Sequence, residues 1–206
     1  EDTTKIERLS HWLLGESAAP WSVSLYPTNR CNLRCPICWQ RNPAIAVDYK
    51  NELPDEVFLR LIDDGAAAGV HEWFIMGSGE PMMRPELLMN LCAKIRAHGM
   101  IGHIQSNGCL FTRAHLEHLV DIQWNTLRIS LDGPDESTND RIRSKTSFKR
   151  ATENLKLLAE IKRERASAAP TVILYAVLTS LNGASLDQLV DLAHETGAES
   201  IELSTM

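Results

Sequence analysis

"WNTLRISLDG", residues 124–133, is the stretch that decides the fold. Starting at Trp124, Leu127, Ile129 and Leu131 fall on one face, and Thr126, Arg128, Ser130 and Asp132 on the other. Alternation with a period of two marks a β-strand. A parallel strand covered by helices on both faces reads instead as a continuous apolar run. A face that stays polar over four positions therefore predicts a curved sheet whose concave side lines a cavity, with the helices outside.

Five more short apolar runs flank this strand: 21–27 (WSVSLYP), 70–76 (VHEWFIM), 100–106 (MIGHIQS), 171–178 (TVILYAVL) and 199–204 (ESIELS). Helical patterns separate them at Asp55–Ala68, Arg84–His98, Thr112–Asp121, Ser147–Glu164 and Ser185–Thr196. Pro54-Asp55-Glu56 opens the first helix, and Gly99 and Gly197 follow the second and the last, which are start and stop signals. Strand and helix alternating at this spacing make βαβ units and a parallel sheet with right-handed crossovers. Six strands are too few for a full eight-stranded barrel. The expected fold is α/β, a partial (β/α)6 TIM-like barrel with an open parallel sheet and helices outside. Residues 134–147 are expected to form a loop with one helical turn. Residues 1–19 read as an N-terminal helical extension and 20–206 as one core domain. No helix follows the sixth strand to cover it, so the chain is expected to be truncated, with a C-terminal part missing.

The 206 residues are 44% hydrophobic and 23% charged, the balance of a soluble globular domain. No run of about 18 apolar residues occurs, so no transmembrane helix is expected. The N-terminal "EDTTKIERLSHWLLGES" has no apolar core of the secretory type. A net charge of −6 argues against nucleic acid or a membrane surface as partner. Five cysteines, an odd number with three clustered, do not make a disulfide framework. They point to a reducing compartment, and the expected location is cytoplasmic.

The clustered cysteines follow the first strand in "TNRCNLRCPICWQRN", residues 28–42. Cys31, Cys35 and Cys38 fall within eight residues. A structural zinc site takes four ligands, usually as two CxxC-like pairs, and this cluster offers three. Cys92 sits in a helical pattern and reads as core. Cys109 lies in a loop, and His71 and His103 on strands, none at ligand spacing. Three thiolates suit a [4Fe–4S] cluster with one iron left open, and a zinc-binding scaffold stays as the alternative. The next strand ends carry "GSGEP" (77–81), "SNG" (106–108) and "SLDG" (130–133). Sheets of this class build their sites from loops after the strand C-termini, and small or polar residues occupy all four. Asp132, before Gly133, suits a turn cap.

The cysteine spacing, "GSGEP", "SNG" and "SLDG" followed by "NDRIR" resemble the radical SAM superfamily. The branch they resemble is the peptide-modifying and molybdopterin-type one, from about Trp21 to the end of the chain. The resemblance implies that Cys31, Cys35 and Cys38 ligate a [4Fe–4S] cluster whose fourth iron binds S-adenosyl-L-methionine (SAM). It puts the methionine amino group against Gly77, Ser78, Gly79 and Glu80, and the carboxylate against Ser130 and Arg143. It sets the ribose near Ser106 and Asn107, and the adenine near Leu178. The implied enzyme cleaves SAM reductively to a 5′-deoxyadenosyl radical, which abstracts hydrogen from a peptide, nucleoside or sugar. A zinc- or cluster-binding scaffold without radical turnover is the alternative. Arg30, Arg34 and Arg41 stand in a stretch without acidic residues. They would form a rim for an acidic electron donor such as flavodoxin or ferredoxin. Arg128, Gln105 and His103 are candidates to touch substrate. Three positions depart from the family pattern: Ile37 where an aromatic is usual, with Trp39 just after; a serine inside "GSGEP"; and Ser144 where glycine is common. Many members of the branch also carry a C-terminal domain with auxiliary clusters, for which Cys92 and Cys109 are too few.

Overall fold

The computed structural model describes Asp2–Thr205, with side chains from Lys5 onward. Glu1 and Met206, the outer ends of the two expected segments, lie outside the described residues. The strands are β1 (Ser22–Leu25), β2 (Glu72–Ile75), β3 (Ile101–Ser106), β4 (Thr126–Ser130), β5 (Thr171–Leu178) and β6 (Ser200–Thr205). The helices are α1 (Asp2–Leu13), α2 (Asp55–Ala68), α3 (Pro85–Ala97), α4 (Arg113–Asp121), α5 (Glu136–Ile142), α6 (Ser147–Glu164) and α7 (Leu186–Thr196).

The strands form one six-stranded sheet in the order β1-β2-β3-β4-β5-β6, with every pairing parallel. The order never reverses, so each right-handed crossover steps the same way and the helices pile on one face. A doubly wound sheet would reverse direction at a switch point. This one curls as an open, partial (β/α)6 barrel, as the alternating fourth strand predicts.

Burial separates the two faces. Trp73, Ile75, Ile104, Leu127, Ile129, Val172, Leu174 and Ala176 are no more than 2% exposed. They share one core with Ile62, Leu88, Leu91, Ile95, Leu119 and Leu158 from the helices. The alternate positions Phe74, His103, Gln105, Arg128 and Tyr175 are only half-buried. Two tryptophans set the spacing of this core. A Cβ on Gly102 would meet the Trp124 ring at 1.9 Å, and one on Gly65 would meet Trp73 at 2.3 Å. Each indole occupies the volume a side chain would need, so glycine is the residue that fits.

The expected loop at 134–147 is more ordered than a single turn. Its α5 spans seven residues. Asp135 caps it by accepting from the Thr138 N–H at 2.8 Å. Asp140 in turn accepts from the Phe148 N–H at 3.0 Å, fastening α5 to the start of α6. The polarity of the segment reflects caps and an exposed face, while Asn139 and Ile142 are buried. At the opposite end of the sheet, Arg8 of α1 donates to the Gly69 carbonyl at 2.6 Å. Its guanidinium also sits over Trp21, which stacks on His71 at 4.3 Å. Among the described residues no helix is long and apolar enough to cross a membrane.

Candidate cofactor-binding site

Beyond the C-terminal ends of β1 to β5 lies a cavity of about 740 Å³. Cys31, Cys35 and Cys38 line it, together with Gly77, Ser78, Gly79, Glu80, Ser106, Asn107, Ser130 and Arg143. The structure thus brings together every expected cluster- and cofactor-binding residue except Leu178, in whose place Val177 lines the cavity. Side chains alternate across a strand, so the neighbour one position earlier takes the inward direction. Of the substrate candidates Gln105 lines the cavity, and Arg128 and His103 do not. Ile37 and Trp39 both line the cavity, and Trp39 is 48% exposed.

Backbone pairing holds the cysteine loop against the turn after β2. The Gly79 N–H donates to the Thr28 carbonyl at 3.1 Å and the Glu80 N–H to the Arg30 carbonyl at 2.8 Å. This continues the β1–β2 ladder past the strand ends. The approach is close enough to require glycine, since a Cβ on Gly79 would lie 2.1 Å from the Arg30 carbonyl oxygen. A Cβ on Gly77 would likewise lie 1.7 Å from the Gly79 carbonyl oxygen. Ser78 is absent from the residues with positive φ, so a serine is tolerated between them.

Glu80 ties that turn to the next one. Its carboxylate accepts from the Met82 N–H at 3.0 Å, the Ser106 hydroxyl at 2.7 Å and the Asn107 N–H at 2.8 Å. The side chain is fully buried, and burial raises its pKa although these three donors oppose the shift. Its oxygens are therefore spent on the protein, and what the turn offers to a ligand is its backbone. Asn107 is similarly committed. Its Oδ1 accepts from the Cys109 N–H at 3.0 Å and its Nδ2 donates to Asn32 Oδ1 at 2.9 Å.

Burial raises the Cys31 thiol and pushes Cys35 up to about 11, while Arg143 pulls Cys35 back down. Neighbouring thiols, Cys31 exposed and Cys35 and Cys38 half-buried, ionise when a cationic centre takes them as ligands, so the donor set fits a thiolate-bound metal group. Among the described residues no three His, Cys, Asp or Glu side chains converge on one point, so Cys31, Cys35 and Cys38 share the cavity wall as separate thiols. Cys92 is wholly buried in α3, as expected of a core thiol. Cys109 is also buried, with its Sγ near the Asn107 and Ser147 carbonyls and its pKa raised to about 12 by burial. Neither lines the cavity.

Sequence reasoning missed the residues that hold the wall. Arg143 lines the cavity, and its Nε lies 2.6 Å from Oδ2 of Asp132, a side chain with no exposure at all. The alternation placed Asp132 on the polar face, but its partner is eleven residues away and set by folding. Glu52 returns from the long loop after Cys38 to accept from Arg30 Nε at 3.0 Å and Nη2 at 2.9 Å. All three arginines of the expected basic rim line the cavity, with the Arg30 charge offset by Glu52. Below the cavity, Arg128 pairs with Glu202 of β6 through Nε at 2.9 Å and Nη2 at 3.1 Å. His103 stacks on Phe74 at 4.5 Å, and burial together with Arg128 lowers its pKa.

The radical SAM superfamily model matches residues 25–193. A Methanosarcina barkeri protein named Fe-coproporphyrin III synthase is 38% identical over 116 residues, covering 56% of this chain and 28% of the relative. The PqqA peptide cyclase of Rhizobium meliloti is 28% identical over 187 residues, covering 91% and 47%. Among solved structures, Streptococcus suis SuiB bound to S-adenosylmethionine superposes with a TM-score of 0.76 at 22% identity, covering 91% and 41%. At that identity the likeness speaks for the fold. The chain spans less than half the length of the curated relatives it matches.

Proposed function

Because the chain belongs to the radical SAM superfamily, we propose that its cavity holds a [4Fe–4S] cluster on Cys31, Cys35 and Cys38, with S-adenosylmethionine beside it. When bound, this pair supplies one-electron cleavage of the sulfonium, giving a 5′-deoxyadenosyl radical that abstracts hydrogen from a substrate. The residues around it bind and orient. The backbone of Gly77 to Glu80 receives the amino group, and Ser130 and Arg143 hold the carboxylate. Ser106 and Asn107 lie by the ribose, with Val177 in place of Leu178 at the adenine. The curled sheet keeps water away from a reactive species.

The observation that carries this reading is co-location: three thiols on the loop after β1 and residues from the next three strand-end turns line one cavity. The substrate is a peptide or small molecule entering on the side of Gln105 and Tyr175. Arg34 and Arg41 take an acidic electron donor, and the protein works in the cytoplasm. The test is anaerobic reconstitution. The product should be brown, with roughly four irons and four sulfides per chain, and should form 5′-deoxyadenosine from S-adenosylmethionine and dithionite. Cys31→Ser, Cys35→Ser and Cys38→Ser should each lose iron, whereas Cys92→Ser keeps it. A colourless protein with one zinc would refute the reading. An iron-loaded protein that leaves S-adenosylmethionine intact would make it a scaffold.

A further inference from the structure

Asp132 is a buried charge to which the proposed chemistry gives no task. A carboxylate survives burial only when it is paired and hydrogen-bonded, and Asp132 is both. Its Oδ2 lies 2.6 Å from Arg143 Nε, an ion-pair contact without hydrogen-bond alignment. Its Oδ1 accepts from Arg143 Nη2 at 3.1 Å and from the Val177 N–H at 2.7 Å. The Asp132 backbone is fixed as well. Its N–H donates to Asn139 Oδ1 at 2.9 Å, and its carbonyl accepts from Asn182 Nδ2 at 2.7 Å. That same amide donates to the Val177 carbonyl at 2.8 Å.

Arg143 needs such a partner. It stands just past the end of α5 with φ −100° and ψ −83°, outside the helical region, at the head of a long side chain with many rotamers. A guanidinium held by a hydrogen bond at one nitrogen and an ion-pair contact at the next on the same edge is restrained at two points of its fork, which an ammonium does not offer. Asp132 holds the guanidinium by one hydrogen bond at Nη2 and by an unaligned ion-pair contact at Nε, and no partner for Nη1 occurs among the described residues. Arg143, Ser130 and Val177 line the cavity, and Asp132 does not.

We propose that Asp132 is the positioning residue for the carboxylate end of the cofactor: it acts through Arg143 and holds the end of β5 in the same grip. This rests on the reading that Arg143 receives the S-adenosylmethionine carboxylate, and the experiment separates the two claims. The affinity of reconstituted protein for S-adenosylmethionine is measured by equilibrium dialysis for wild type, Arg143→Gln, Asp132→Asn and the double variant. A misdirected charged hydrogen bond should raise Kd about tenfold or more in each single variant. The double variant should stay within about twofold of the worse single one, because both changes break one interaction. Lowered thermal stability of Asp132→Asn with an unchanged Kd would mean a merely structural role and overturn the proposal. An unchanged Kd in Arg143→Gln would overturn the carboxylate reading and the proposal with it. Should Asp132→Asn fail to fold alone, the comparison is made in the Arg143→Gln background, where the neutral pair leaves no orphaned charge. There an unchanged Kd is expected, and a further large loss would show Asp132 acting independently of Arg143.

Discussion

Glu80 offers a sharp test of how the site is held together. Glu80→Ala removes the acceptor of three hydrogen bonds and leaves the Met82 and Asn107 N–H groups facing a buried gap. The Ser106 hydroxyl can rotate to another partner, but the two amides cannot. At roughly 1–3 kcal/mol for each buried unsatisfied donor, the loss is about 2–6 kcal/mol, a large part of the ~5–15 kcal/mol that holds a typical domain together. Glu80→Gln keeps one acceptor oxygen and turns an NH2 toward one of the donors, so it should cost about 1–3 kcal/mol. The pH dependence gives a second handle. Burial raises the pKa of Glu80 above 4.5 in the folded chain, so the fold prefers the protonated carboxyl. Wild-type stability should therefore rise relative to Glu80→Gln, which does not titrate, as pH falls from the raised folded value toward 4.5. The assay is urea unfolding of wild type and Glu80→Gln under reducing conditions across that range. A stability gap that stays constant or narrows on acidification would refute the reasoning.

Two further outcomes follow from named contacts. Gly79→Ala forces a Cβ to within 2.1 Å of the Arg30 carbonyl oxygen, so the turn must leave the cysteine loop. It should lose more than about 1 kcal/mol of stability and weaken S-adenosylmethionine binding in a dialysis assay, whereas Gly183→Ala, with nothing within 4 Å, should change neither. Arg34→Glu with Arg41→Glu should slow reduction by an acidic flavodoxin and make the rate less salt-dependent, leaving dithionite reduction unchanged. Equal slowing with both reductants would count against a docking rim.

Much of this protein is legible from its sequence, for a local reason. The α2 and α6 ranges coincide with their hydrophobic periods, and β5 with its apolar run. Periodicity is a property of consecutive residues, and it also yields the polar inner face of β4 and hence the curl of the sheet. The cysteine loop and the turns at 77–81, 106–108 and 130–133 lie beside the strands that position them, so sheet topology alone delivers them to one cavity. What the chain could not disclose locally are contacts chosen by packing. The choice of Val177 over Leu178 at the cavity depends on the strand's final register. The burial of Glu80 turns an apparent ligand carboxylate into a clamp between β2 and β3. Glu52 quenches Arg30 across 22 residues, and Asp132 grips Arg143 while Asn182 reaches back over 50 residues to the Asp132 carbonyl. Such partners are settled by where the backbone leaves a desolvated charge or an unpaired amide, and only the folded chain creates those places.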